Sequence, residues 1–502
     1  MITETPSLVT RHGTVFAPDP GRVITKLFVP GEETPETQSR AATLVGRVLA
    51  LPENEVAAVL AGVLAEFSAR HRDFPAILER TASIMSHRLV APDALSPQRR
   101  LLLGAYFTHE YAIEATALCN PSLIPHPRQQ ALAPGELRVV LSLRGIGEGH
   151  VSSIGFATGV LGPGPQARWQ SRSGPVSTGE REPDSWERAW FRAALTHDRC
   201  DNEITATVLA TLPDHFGQHD LDVQLGALHP RLRERAGAET TTRRIRELAA
   251  ASYTVRFPDG IALSRRVLWP TSPTERHGME DARFVRCTAL DGTTGYRATY
   301  TAYDGSSVAP QLLESTDLDT FHALPLTGPA ARNKGMALFP RPVGGRYLAL
   351  CRGDGETMSL ASSPDGRTWT DEVPLHGPQA AWELLQVGNC GSPLETPEGW
   401  LVLTHGVGPM RTYAIGALLL DLAEPTRILA TLPEPLLMAD RRERDGYVPN
   451  VVYSCGGIIH DGTLWLPYGV SDTRVAMATV PVESLLARLR AAQPALRDSH
   501  RP

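Results

Sequence analysis

A β-propeller preceded by a helical segment is the fold class predicted for this 502-residue chain, and three observations predict it. Gly and Pro, 43 and 41 in number, are sparse between about residues 36 and 118 and frequent afterwards. From about residue 120 the chain breaks into short β-branched and aromatic runs separated by Gly, Pro, Asp and Asn. Leu137–Leu143, Tyr296–Tyr303, Tyr347–Cys351, Trp400–Thr404 and Thr463–Tyr468 are examples. Finally, a weak repeat links Glu314–Phe321 to Ala361–Trp369, with Ala417–Leu429 as a third copy. A period of about 45–55 residues, with about four strands per unit, marks a propeller, and the stretch from 120 to 480 accommodates roughly five to seven blades. A β-sandwich is the alternative, but it rarely needs so long a chain.

Taken in order, the elements begin with an extended opening at Arg22–Val29. Leu51-Pro-Glu-Asn-Glu then starts a helix, in which Val56, Val59, Leu60, Val63, Leu64 and Phe67 recur at helical spacing. Ser96-Pro97 opens another helix, expected to run through Leu118. The serine supplies the cap, and proline is tolerated in the first turn because its missing N–H would be unpaired there. These helices define a mostly helical N-terminal domain, 1–115, as a bundle or hairpin that packs on a partner or on the main domain. The strand-rich region, 116–483, follows. It is interrupted by a charged helical insertion near 221–251 and ends in a helical tail, 484–502.

Composition removes several function classes. Hydrophobic residues make up 42% and charged residues 21%, which suits a folded chain rather than a disordered one. A net charge of −6 argues against non-specific nucleic-acid binding. The N-terminus lacks a secretion signal, and the longest apolar run, Ala57–Ala65, is too short to cross a bilayer. Six scattered cysteines without zinc spacing read as free thiols in a reducing cytoplasm. No P-loop, GxGxxG, HExxH or GxSxG motif is present. No metal or organic cofactor is expected.

The chemistry-bearing residues gather at strand ends. Glu275-Arg-His-Gly-Met-Glu-Asp-Ala-Arg283 places two adjacent acids among basic residues, a pattern that suits a tuned carboxylate. Arg332-Asn-Lys-Gly-Met-Ala-Leu-Phe-Pro340 holds Lys334, one of only two lysines beside Lys26, so arginine supplies nearly all of the 49 basic residues. A compact ammonium differs chemically from a planar guanidinium, which makes that position notable. Gly388-Asn-Cys-Gly-Ser-Pro393 with His405, and Tyr447-Val-Pro-Asn-Val-Val-Tyr453 with Gly469-Val-Ser-Asp472, complete the set.

Together these segments resemble glycoside hydrolase family 130, five-bladed propeller enzymes that split β-mannosides by phosphorolysis or hydrolysis. Glu280-Asp-Ala-Arg283 with Tyr300-Thr-Ala-Tyr-Asp304 is similar to the family's E-D-P-R…Y-T-A-Y-D segment. Lys334–Pro340, Gly399–Gly406, Val448–Tyr453 and Tyr468–Asp472 resemble four further segments in the same order. The resemblance implies that Asp281 is the general acid, protonating the glycosidic oxygen through a hydroxyl of the bound mannose. Glu280 beside it would raise its pKa and Arg283 or Arg276 would lower it, with a net upward tuning expected. By the same resemblance Asn120, Arg144, Glu280, Arg283, Tyr303, Asp304, Tyr413, Asn450 and Asp472 are expected to bind sugar. Lys334, Arg352 and His405 match positions that hold inorganic phosphate, the expected co-substrate. Where the family has a further lysine, this chain has Gln386.

The function so implied is inverting cleavage of β-mannosides or related oligosaccharides, with phosphorolysis ahead because three of the four anion positions survive. Hydrolysis is the alternative, with Glu148, Glu383 or Glu395 as the base. A sugar-binding propeller without chemistry is the rival from another class, in which Trp369 and Trp400 only pack blades; a transferase using an activated sugar ranks lower. The expected partners are an oligosaccharide and, through the helical N-terminus, a second copy of the chain; neither nucleic acid nor a membrane is expected.

Overall fold

The structure, a computed structural model, describes residues 8–31 and 39–492. Most of its strands form five successive antiparallel meanders, the first two joined in one eleven-stranded sheet by the parallel Gly278–Ser152 pairing and extended at the edge by Tyr253–Arg256 and Glu180–Pro183. The first comprises Ala117–Pro125, Leu137–Ile146, Ser152–Leu161 and Ala167–Trp169. The second comprises Gly278–Thr288, Thr294–Tyr303, Val308–Ser315 and Thr320–Pro325. Ala337–Leu338, Tyr347–Cys351, Met358–Ser363 and Thr370–His376 form the third. The fourth is Gln386–Asn389, Gly399–Val407, Tyr413–Leu420 and Ile428–Thr431. In the fifth, Val452–Tyr453, Thr463–Val470 and Arg474–Pro481 are completed by Thr10–Phe16 from the other end of the chain.

The apolar residues of these strands explain how the meanders are held. Leu118, Leu141 and Leu143 of the first pack with Trp465 and Met477 of the fifth. Val140 and Phe156 of the first meet Phe284 and Tyr296 of the second. Leu312 and Leu324 of the second meet Ala349 and Trp369 of the third. Leu350 and Met358 of the third meet Trp400 and Leu418 of the fourth, and Leu403 and Ile415 of the fourth meet Leu466 and Ala478 of the fifth. The packing is cyclic, so each sheet buries both faces against neighbours. Trp369 and Trp400, fully buried, are packing residues in this ring.

The N-terminal helices are α1 (Arg40–Ala50), α2 (Glu53–Phe67), α3 (Phe74–Met85) and α4 (Pro97–Tyr106). Ser96 caps α4, its hydroxyl accepting from the Arg99 N–H at 3.2 Å with proline in the first turn. Within α2 only Val56 and Leu60 are buried, while Val59 is 40% exposed. The helix expected to continue to Leu118 ends at Tyr106, because Thr108–Ala112 turns into a strand paired with Val23–Leu27. The segments Thr10–Phe16 and Val23–Leu27 are therefore strands, not helices, and Thr10–Phe16 belongs to the fifth meander. A buried ion network ties this segment to the first meander: Arg22 Nε donates to Glu114 at 3.0 Å, and Arg172 contacts the same carboxylate.

The helical insertion begins earlier than residue 221. It comprises α5 (Arg188–His197), α6 (Glu203–Ala210), α7 (Gln218–Gly226), α8 (Pro230–Arg233) and α9 (Ala238–Ala250), around a core of its own that includes Phe191, Val208, Phe216 and Ile245. Its first two helices are short and polar on one face, which hid them among the loops of the sequence. The last described helix is α10 (Val482–Ala491), whose Leu485 and Leu489 pack under the fourth and fifth meanders; the expected tail beyond residue 492 lies outside the described residues. Among the described residues no single helix is long and apolar enough to cross a membrane.

Candidate active site

The first strands of the meanders bring the polar clusters together. Asn120 lies in the first strand of the first meander and Asp281 in that of the second, each at a bulge in the pairing. Lys334 precedes the third, Asn389 ends the first strand of the fourth, and Tyr453 ends that of the fifth. Several of these positions take left-handed backbone conformations: φ is +47° at Asn120, +56° at Asp281, +62° at Asn333, +64° at Asn450 and +47° at Asp472. Asn and Asp tolerate that region better than other side-chain residues, yet it still costs energy, and such outliers concentrate where a side chain must be aimed.

Asp281 is the focus. Its carboxylate accepts from the Asn120 amide and from Arg144 Nη1 at 3.1 Å, and Arg283 Nη2 lies 3.8 Å away. Glu280 is held on both sides, by Arg144 Nη2 at 2.6 Å and Lys334 Nζ at 2.7 Å. Arg144 is itself fixed by its Nε donating to Ser152 Oγ at 2.9 Å. Burial would push the Asp281 carboxyl up, but Arg144, Arg283, Lys334 and the Asn120 amide together outweigh it and hold the group at about 2. The upward tuning expected from Glu280 is thus overturned: Asp281 is lowered, and the Glu280 carboxylate is paired with Arg144 and Lys334. The carboxyl that does rise is Asp472, to about 6, because burial and the charge of Asp281 exceed the pull of Arg144 and Arg411.

A second cluster surrounds His405. Arg352 Nη1 donates to His405 Nε2 at 3.0 Å, which leaves Nδ1 as the protonated nitrogen, facing the Asn389 carbonyl at 3.2 Å. Burial, with Arg352 and Arg283 nearby, pushes the imidazole well below its ordinary pKa, so His405 is a neutral hydrogen-bonding group. The rings of Tyr413 and Tyr453 cover it, at 6.3 Å and 4.9 Å. Arg283, fully buried, joins the two clusters: it donates to Tyr453 Oη at 2.7 Å, to the Cys390 carbonyl at 2.9 Å and to the Asp281 carbonyl at 2.8 Å. Buried polar atoms without a protein partner lie in the same region, namely Asn120 Oδ1, Arg352 Nε, Asn389 Oδ1 and Ser392 Oγ. Atoms of this kind suit a polar ligand that completes their hydrogen bonds.

Other expected residues sit at the rim or elsewhere. Tyr303 donates to the Gly305 carbonyl at 2.8 Å and has Lys334 Nζ 5.8 Å from its ring. Asp304 caps its own turn, accepting from the N–H groups of Ser306 and Ser307, and Asn450 contributes its carbonyl to the Tyr413 N–H. Gln386 is half-buried in the first strand of the fourth meander, paired with Val407. Of the carboxylates offered as hydrolytic bases, two have protein partners and one is exposed. Glu395 pairs with Arg341 at 2.5 Å, Glu383 accepts from the Ala380 N–H at 3.2 Å, and Glu148 lies on an exposed turn. Sequence reasoning gave no role to Tyr453, Asn389 or Ser152. The first two stood inside motifs already singled out, but only the fold shows that their side chains face Arg283, His405 and the Lys334 loop, where Asn389 Nδ2 donates to the Gly335 carbonyl at 2.9 Å.

Comparison with known proteins places the chain in a family. The profile of beta-1,4-mannooligosaccharide phosphorylase, glycoside hydrolase family 130, matches residues 253–491. The 1,2-beta-oligomannan phosphorylase of Thermoanaerobacter sp. (strain X514) is 32% identical over 239 residues, which is 45% of this chain and 77% of that protein. The beta-1,2-mannobiose phosphorylase of Listeria innocua is 34% identical over 232 residues, 44% of this chain and 63% of that protein. The solved structure of beta-1,2-mannobiose phosphorylase from Listeria innocua with beta-1,2-mannobiose aligns with 75% of this chain and 92% of its own, at 22% identity and a TM-score of 0.45. The profile begins at Tyr253, leaving the N-terminal helices, the first meander and the inserted helices outside it. Glu280, Asp281, Lys334, His405 and Asp472 all lie within the matched span, and the chain belongs to glycoside hydrolase family 130 and is an enzyme of the glycoside phosphorylase type.

Proposed function

We propose that the protein cleaves a terminal β-mannosyl unit from a mannoside by inverting phosphorolysis, in the axial pocket of a five-bladed propeller. The observation that carries this reading is the convergence of strands from all five meanders on Asp281 and Arg352–His405, two polar clusters bridged by Arg283 and Tyr453. The cyclic packing of the five sheets supports the propeller. Three of the similar proteins act on β-1,2-linked mannosides by name, which makes that linkage the first to test.

In this reading a phosphate oxygen attacks the anomeric carbon, the glycosidic C–O bond breaks, and the leaving oxygen takes a proton that originates on Asp281 and passes through a mannose hydroxyl. The products are α-mannose 1-phosphate and the shortened sugar. Asn120, Arg144 and Asp472 hold sugar hydroxyls, and the Tyr303 and Tyr413 rings face the sugar. Phosphate is held by Arg352, whose Nε is unpartnered, and by Lys334, with Arg283 close by. A phosphate dianion drawn to these cations opposes the field that keeps Asp281 ionised, so phosphate binding moves Asp281 toward the protonated form that an acid requires. His405 orients Arg352 and adds no charge of its own.

The test is incubation with β-1,2-mannobiose, with and without inorganic phosphate. Mannose 1-phosphate forming only when phosphate is present is the expected result; free mannose released equally in both overturns it. Asp281→Asn lowers kcat by about two to four orders of magnitude, the range of a lost general acid, while circular dichroism stays unchanged. An active variant would remove Asp281 from its role.

A further inference from the structure

The inserted helices lie outside the family profile, and one of them touches the turn that leads into the Glu280–Asp281 strand. Helix α9 lies against the Pro273–Glu275 turn, and that turn runs through Arg276 and His277 into the strand bearing Glu280 and Asp281. Between α7, α8, α9 and the turn is a cleft of about 650 Å³. Its charged lining is Arg233, Arg243, Arg246 and Arg276 against Glu239 and Glu247. Glu247 is already neutralised by Arg243 at 3.7 Å and Arg244 at 3.4 Å, and Arg233 is turned to the Gly226 carbonyl. Arg246 and Arg276, on opposite walls and both exposed, make no ion pair or hydrogen bond among the described residues. Arg276 also adjoins the catalytic rim: its charge acts on Asp304, next to Tyr303, over which Lys334 sits while donating to Glu280. An excess of positive charge therefore faces a cleft whose Pro273–Arg276 wall leads directly into the strand that carries Glu280 and Asp281.

Resting on the phosphorolysis reading above, we propose that this cleft is a distal subsite for an anionic group, carboxylate or phosphate, on the leaving portion of the glycan, with Arg246 and Arg276 as its ligands. The inserted helices then set substrate choice: a neutral oligomannoside uses only the axial pocket, and a charged one uses both. Because the two guanidinium groups are exposed, each contributes modestly, and together they favour the charged glycan by about tenfold.

The test runs the reaction in the synthetic direction, from mannose 1-phosphate. Three acceptors are compared: β-1,2-mannobiose, the same sugar oxidised to the aldonic acid at its reducing end, and the same sugar bearing a phosphate on the distal mannose. The expected result is a kcat/KM about tenfold higher for a charged acceptor, lost in the Arg246→Ala/Arg276→Ala double variant and in high salt, with the neutral acceptor unaffected. Preference for one charged acceptor over the other identifies the anion as carboxylate or phosphate. Equal use of all three acceptors by the wild type, or a preference that survives the double variant, overturns the subsite. If no mannoside is turned over, the phosphorolysis reading fails separately. Calorimetric titration with the two charged disaccharides in a low-salt buffer free of phosphate then decides the subsite: binding abolished by the double variant sustains it, and absence of binding to the wild type refutes it.

Discussion

Two aspartates within one charge cluster are displaced in opposite directions, and this gives the residue scale its clearest consequence. Asp472 is raised to about 6 by burial and the Asp281 charge, whereas Asp281 is held at about 2 against burial by three cations and the Asn120 amide. For Asp472 the folded pKa exceeds the unfolded one. The folded state therefore binds the proton more tightly between about pH 4 and 6, and the stability it confers is lost as pH rises through that window. Asp472→Asn is expected to stabilise the protein by about 2 kcal/mol near pH 8, an effect that vanishes by about pH 4. Thermal melts across that range measure it, and a shift of the same size at both ends contradicts the assignment. Asp281 has the reverse sign: its stabilising contribution is present above about pH 4 and is lost as pH falls toward 2. The sequence marked the Glu280-Asp281 pair but gave the wrong direction for Asp281. Adjacent acids were expected to repel, and only the fold brings Arg144 and Lys334 onto Glu280.

At the scale of elements, the helical N-terminal unit depends on close approach. Gly104 of α4 packs on α3 so tightly that a Cβ would lie 1.9 Å from the Leu78 carbonyl oxygen. Gly104→Ala must push the two helices apart, at a cost of roughly 1–3 kcal/mol. The expected outcome is selective proteolysis of residues 40–106 with phosphorolysis retained. Simultaneous loss of activity would mean that the helices are coupled to the site. Helix starts were legible because a cap such as Ser96 is local chemistry. Helix ends were less so: Thr108–Ala112 becomes a strand because Val23–Leu27 offers it a partner, a non-local choice.

For the whole molecule, the fifth meander joins segments far apart along the chain. Thr10–Phe16 pairs with Arg474–Pro481, and Glu443 clamps the junction. Its carboxylate accepts from Tyr468 Oη at 2.6 Å, from Arg11 Nη2 at 3.3 Å and from the Asp440 N–H at 3.1 Å. Glu443→Ala leaves Arg11 and Tyr468 without that partner and is expected to cost about 3 kcal/mol. A lowered urea midpoint with an unchanged slope measures it. Because the fifth meander packs on both the first and the fourth, the loss is expected in one transition of the β part; an early separate transition contradicts the cyclic arrangement.

The sequence by itself determined the strand-rich class, the helical preface, the absence of nucleotide motifs and the family, because alternation, caps and short motifs are properties of neighbouring residues. Asn120 and Arg144 were proposed from position alone and lie outside the profile, yet the fold sets both on Asp281. Which charges meet was decided only by tertiary structure. The neutrality of His405, the bridging of two clusters by Arg283 and Tyr453, and the pairing of Lys334 with Glu280 join residues far apart along the chain. Their electrostatics follow from distance and burial, which no local pattern encodes.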